Sequence, residues 1–204
     1  MPSQILSRNL KRTYKKICEI ISIYYWVVRI PLLGSTFISF QKKDNIEQHY
    51  LNNGFNNVNH FQAVKGKKFN IHDLLQDNMI TVRAYDDLMS GRSEHSGIPS
   101  LGSIGCSLSH FSLWNMCINN NWPFIIIAEE DNRMYGKISD NSVKKIQNIL
   151  EKPNSVFISI NLTKEEHRVQ FFGSHFYICS LSACKELIKN FFPIDEIGRA
   201  SCRE

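Results

Sequence analysis

Pro123-Phe124-Ile125-Ile126-Ile127-Ala128-Glu129-Glu130-Asp131 runs through six apolar residues without a polar break and then meets three carboxylates in a row. A run this short, rich in β-branched residues and bounded by polar sequence, reads as a strand. Its hydrophobicity is continuous rather than alternating, which suits a central strand covered on both faces. Three adjacent carboxylates repel one another unless a cation or a proton neutralises them. At the carboxyl end of a sheet strand they stand where open α/β sheets bind ligands. Hard oxygen ligands of this kind suit Mg2+ or Mn2+, which bridge nucleotide phosphates. Taken alone, the same three residues also read as a solvated turn or as the lead-in to the next helix.

The sequence on either side supplies the rest of a sheet. Residues 36–40 (TFISF) form a short apolar run that reads as a buried strand. Residues 45–53 place Ile46, Tyr50 and Leu51 at helical spacing and close on Gly54, a helix with a glycine stop. Residues 58–64 (VNHFQAV) predict a second strand ended by Lys65-Gly66. Strand, helix and strand with short joins make a βαβ unit, and hence a parallel sheet of the kind that carries nucleotides. Residues 71–79 predict a short helix, with loop around residues 90–93 and 96–97. Over 102–119, Ile104, Leu108, Phe111, Trp114 or Asn115, and Ile118 recur at three- and four-residue spacing, the pattern of an amphipathic helix. After the acidic cluster come a helix over 139–150 capped by Ser139 or Asp140, strands at 156–160 and 176–179, and a serine-capped helix over 182–190. The expected fold class is α/β with a mostly parallel central sheet.

The chain has 204 residues, 43% hydrophobic and 21% charged, with a net charge of +5. That describes one globular domain and lacks the strongly basic footprint of a nucleic-acid binder. The positive charge is local: Arg8, Lys11, Arg12, Lys15 and Lys16 lie close together without an acidic residue among them. The apolar stretch that follows, over 17–33, is interrupted by Glu19 and Arg29. Its uncharged part, 20–28, falls far short of the roughly 20 residues that span a bilayer. Residues 1–33 therefore read as a basic and apolar leader, either a peripheral membrane helix or a helix packed on the domain. The cellular location stays open between the cytoplasm and a membrane periphery. None of the six cysteines forms a CxxC pair, which favours reduced core thiols over a zinc site or a disulfide framework. Residues 196–204 (EIGRASCRE) match a reading frame of a sequencing adapter, so the domain is expected to occupy 34–195 and the native chain to continue beyond it.

Gly102-Ser103-Ile104-Gly105-Cys106-Ser107-Leu108-Ser109-His110, followed about twenty residues later by Ala128-Glu129-Glu130-Asp131, resembles the signature of glycosyltransferase family 25. That family includes bacterial lipooligosaccharide galactosyltransferases and procollagen galactosyltransferases. Phe61-Gln62-Ala63-Val64-Lys65-Gly66, the stretch 173–187 and Pro193-Ile194-Asp195 extend the resemblance more weakly. It implies a GT-A-like domain that transfers a hexose, galactose above others, from a UDP-sugar donor to a glycan or glycoconjugate acceptor. It further implies that Glu129, Glu130, Ser109 and His110 bind or shape the donor site. Glu130 and Asp131 would hold Mn2+ or Mg2+. The resemblance leaves the base toward the acceptor open; Asp131 and Asp195 are the catalytic candidates, Asp195 if it faces the metal across the cleft. His110 also has a second reading, as a core histidine fixing its helix against the acidic strand. Cys106 reads as packing. The chain departs from the family at Glu130, where aspartate is usual, and in its first strand, Ile38-Ser39-Phe40-Gln41-Lys42-Lys43. Both departures keep open an inactive homologue that acts as a binding or scaffold protein.

Overall fold

The computed structural model describes residues 35–39, 44–53, 55, 58–91, 97–98, 100–129, 140–150, 157–159 and 176–195. The leader over 1–33, the tail over 196–204, and Glu130 and Asp131 lie outside the described residues. In chain order the elements are β1 (Ser35–Ser39), α1 (Asp44–Asn52), β2 (Val58–Gln62), a 3-10 turn (Gly66–Lys68), α2 (Ile71–Gln76) and α3 (Val82–Ser90). They continue with α4 (Leu101–Asn119), β3 (Phe124–Glu129), α5 (Asp140–Leu150), β4 (Phe157–Ser159), β5 (Phe176–Ser180) and α6 (Leu181–Lys189). Among the described residues, no helix is long and apolar enough to cross a membrane.

The five strands form one sheet in the order β2-β1-β3-β5-β4. β1 pairs in parallel with both β2 and β3, whereas β5 is antiparallel to both β3 and β4. The expected mostly parallel sheet is thus met only in its β2-β1-β3 half. Phe176–Ser180 is buried at every position. An apolar run covered on both faces carries no mark of strand direction, so β5 could not be oriented from its composition.

Alternation along each strand sorts the side chains into two layers. Ile125 and Ile127 of β3, with Tyr177 and Cys179 of β5, pack into a large core beside Ile104, Leu108, Phe111 and Trp114 of α4. Ile126 and Ala128, with Phe176 and Ile178, pack on the opposite face against Ile46 and Tyr50 of α1 and Val143 and Ile146 of α5. This double covering is why β3 is apolar from Phe124 to Ala128.

The structure corrects the reading of 102–119 as amphipathic. Of the residues in α4 only Gly102 and Asn119 are exposed, because the helix packs against β3, α6 and the 3-10 turn together. A helix apolar most of the way round is an interior helix. α3 was not anticipated, although its end signals stand in the sequence. Thr81 caps it by accepting from the Ala84 amide, and Gly91 ends it in the left-handed region at φ 64°. Val82 and Met89 are exposed while Tyr85 and Leu88 pack against the core, so its apolar residues do not share one face.

The β2-β1-β3 order makes a reversal. The chain leaves β1 for β2 on one side and returns through α4 to β3 on the other. Such a switch point leaves a crevice at the carboxyl ends of the two central strands. Here it lies between Ser39 and Glu129, with Ile38 paired to Glu129 in register.

Candidate active site

The site is assembled from the first turns of α4 and the end of β3. Ser100 caps α4, its hydroxyl accepting from the Ser103 amide at 3.3 Å. At Gly105 an added Cβ would lie 2.4 Å from the Val64 carbonyl oxygen, so glycine allows the strand exit after β2 to touch the helix. Ser109 completes this joint. Its hydroxyl donates to the Gly105 carbonyl at 2.8 Å and accepts from the Val64 amide at 2.9 Å, with no exposed surface. Ser109, expected in the donor pocket, spends its hydroxyl on holding the scaffold together.

His110 faces the sheet. Its Nδ1 is 2.7 Å from the Tyr177 hydroxyl of β5, and its Nε2 is 3.2 Å from Glu129 Oε1. Trp114, one turn further along α4, donates Nε1–H to the same Tyr177 oxygen at 3.0 Å. One arrangement serves every one of these atoms. Trp114 donates to Tyr177, Tyr177 donates to His110 Nδ1, and His110 Nε2–H donates to the Glu129 carboxylate. All three donors then point toward the strand end, and each bond polarises the next. Burial pushes the Tyr177 phenol well above its usual range, so it stays a hydroxyl and can donate. His110 is buried between Tyr177 and Glu129 and so ties its helix to the acidic strand.

Glu129 shares its face of β3 with Ile125 and Ile127, the face turned to α4. It is the one member of the chain with appreciable exposure, at 20% of its side chain against 5% for His110. The buried network thus delivers a single oriented carboxylate to the crevice. Cys106, one turn before His110, places its sulfur 3.9 Å from the same Glu129 oxygen. Cys106, His110 and Glu129 offer three ligand atoms within 4.8 Å of one another, a grouping the packing role expected of Cys106 did not include.

Asp195, expected across the cleft, lies beside the start of α3. Its Oδ1 accepts from the Thr81 hydroxyl at the start of α3, and the preceding Ile194 pairs with Ile80. The described cysteines 106, 117, 179 and 184 are all free thiols, as expected. A hydrogen bond with Cys184 and burial push the Cys117 thiol up, which keeps it unreactive.

A sequence model of glycosyltransferase family 25, described as an LPS biosynthesis protein, matches residues 36–192. The chain belongs to glycosyltransferase family 25. A glycosyltransferase 25 family member of Drosophila melanogaster is 31% identical over 85 residues, covering 42% of this chain and 13% of that protein. The lipooligosaccharide biosynthesis protein lex-1 of Haemophilus influenzae is 47% identical over 38 residues, 19% of this chain and 13% of that protein. The aligned parts of this chain thus span about an eighth of each relative's length. The family's Gly-Cys and Ser-His positions now have distinct physical duties. In this family 25 chain Gly105 and Ser109 lock α4 to the exit of β2, while Cys106 and His110 address Glu129.

Tyr177 could be read from the sequence only as a residue flanking the cleft or lying in the core, and Trp114 only as part of its helix; neither could be linked to His110. The signal was a phenol within an otherwise apolar run over 176–179, and an indole four residues after His110. Tyr177→Phe should cost about 1–3 kcal/mol of stability in urea unfolding, because it leaves His110 Nδ1 and Trp114 Nε1–H buried without a partner. A loss below about 0.5 kcal/mol would remove the hydroxyl from its central place in the network.

Proposed function

We propose that the chain is a glycosyltransferase with a GT-A-like domain, moving a hexose from a UDP-sugar to a glycan or glycoconjugate acceptor. The family's galactosyl members make galactose the first donor sugar to test. The lipooligosaccharide relative makes a lipid-linked glycan the first acceptor class. The observation that carries this reading is the placement of Glu129. It is an oriented carboxylate at the carboxyl end of β3, beside β1 at the switch point, and the chain continues from it directly into Glu130 and Asp131.

In this reading Glu130 and Asp131 hold Mn2+ or Mg2+, whose charge neutralises the departing diphosphate. The described donors around Glu129 include a sulfur and an imidazole, so the all-oxygen set that such a cation prefers must come from these next two residues. His110 holds Glu129 in one rotamer, which keeps the first carboxylate of the three from swinging into solvent. Ser109 acts on the donor pocket only through the position of α4. Asp131 and Asp195 remain the proposed carboxylates for taking the acceptor proton.

A panel of UDP-hexoses incubated with the protein and Mn2+ should yield UDP from one donor above all others, with UDP-galactose first, and no release in EDTA. Release of UDP from none of them, with and without a lipooligosaccharide acceptor, would favour an inactive homologue.

A further inference from the structure

We propose that Cys106, His110 and Glu129 form a binding site for a thiophilic divalent cation of the Zn2+ class, separate from the hard-cation site at Glu130 and Asp131. Cys106 and His110 are four residues apart on α4, so they lie one above the other on one face of the helix. Glu129 lies on the side of β3 that turns toward that face. The ligand atoms already stand near the edges of a tetrahedron. In tetrahedral zinc sites, with bonds of about 2.0–2.3 Å, ligand atoms are roughly 3.3–3.8 Å apart. Here His110 Nε2 to Glu129 Oε1 is 3.2 Å, Cys106 Sγ to Glu129 Oε1 is 3.9 Å, and all three atoms fall within 4.8 Å of one another. A cation at their centre needs small side-chain rotations and no movement of α4 or β3.

The chemistry of the donors selects the ion. Mg2+ and Mn2+ favour oxygen throughout, whereas a thiolate, an imidazole and one carboxylate suit a borderline-soft ion. The charges also close: a thiolate, a carboxylate and a neutral imidazole offset two positive charges in a mostly buried place. Binding would release the Cys106 thiol proton to solvent. His110 would keep one proton but carry it on Nδ1, donating to Tyr177 and freeing the Nε2 lone pair for the metal. Tyr177 would then receive N–H groups from both His110 and Trp114, the outer-shell support that metal-bound histidines need to hold their orientation. Three protein ligands leave a fourth position for water, on the partly exposed side of Cys106 and Glu129.

The site stands independently of sugar transfer, so its test does not read activity. Co2+ serves as the spectroscopic probe. The full chain, prepared metal-free, should bind one Co2+ with a thiolate-to-cobalt charge-transfer absorption and the visible bands of a four-coordinate ion, both bleached by added Zn2+. Cys106→Ser should abolish the charge-transfer absorption. Zn2+ should raise the Tm of the wild-type chain by several degrees and leave that of Cys106→Ser unchanged. Equal Tm values for the two proteins in EDTA confirm that the variant folds. Absence of the charge-transfer absorption in the wild type would overturn the proposal, as would its survival in Cys106→Ser. UDP-hexose turnover on the same preparations varies separately: a chain with no turnover and a Cys106-dependent absorption keeps the cation site and loses the transferase reading.

Discussion

Changing Glu130 and Asp131 together to alanine should reduce UDP-hexose turnover by at least about 10^3-fold, some 4 kcal/mol of transition-state stabilisation. The size follows from what the two carboxylates are proposed to do. A departing UDP carries its charge on a diphosphate, and in a site shielded from water the cation beside it supplies much of the electrostatic stabilisation. Without its oxygen ligands the cation is not held there. The unfolding midpoint of the double variant should stay within about 0.5 kcal/mol of wild type or rise, since removing two of three adjacent carboxylates relieves repulsion. That split between activity and stability is the discriminating result. Turnover persisting undiminished in the double variant would sink the proposed function. Glu130→Asp, which restores the family's usual residue, should retain or increase turnover, because the shorter arm changes reach without changing charge.

The elements that decide this reading were legible for a physical reason. β3 is apolar from Phe124 to Ala128 because α1 and α5 cover one face and α4 the other, and double covering writes itself directly into composition. The βαβ start was legible from the apolar run at 36–40, the helical spacing of Ile46 and Tyr50, and the short joins. Direction was not: β5 looks like any buried strand, and its antiparallel pairing depends on how the chain enters it through 160–175, outside the described residues. α3 escaped notice because Val82 and Met89 face water and weaken its stripe, even though Thr81 and Gly91 mark both ends.

The site divides along a similar line. Glu129 could be singled out because it ends an apolar run, a contrast visible within six residues. The partners of Ser109 could not be read from the sequence, since they are the nearby Gly105 and the distant Val64. A residue bonded across 45 positions shows nothing of this in its neighbours. Tyr177 reaches His110 across 67 positions and Trp114 across 63, so the network around Glu129 belongs wholly to the tertiary fold. Hydrogen bonds between such distant residues leave no spacing to read.

Gly66→Ala should cost at least about 3 kcal/mol, a large share of the 5–15 kcal/mol that holds a domain of this size together. An added Cβ would lie 1.6 Å from the Leu101 carbonyl oxygen and 3.1 Å from the Gly105 amide nitrogen. Both are backbone atoms of α4, so no side-chain rotation relieves the contact and the turn must move away from the helix. Gly105→Ala meets the same joint from the other side, 2.4 Å from the Val64 carbonyl and 2.7 Å from the Gly66 amide, and should cost about 1–3 kcal/mol. Gly102→Ala, in the same helix, is the control. Its nearest neighbour is the Ser100 hydroxyl at 3.3 Å and the position is exposed, so alanine's helix propensity should leave stability unchanged or raised by up to about 1 kcal/mol. Urea midpoints at constant m would rank the three. If Gly66→Ala unfolds within about 0.5 kcal/mol of wild type, the turn does not touch α4 as closely as described. The consequence reaches the site as well. The glycine contact and the Ser109 bridge set the height of α4 over the sheet, and that height brings Cys106 and His110 level with Glu129. Gly105→Ala should therefore weaken Co2+ binding at Cys106 as well as stability, whereas Gly102→Ala should leave both intact.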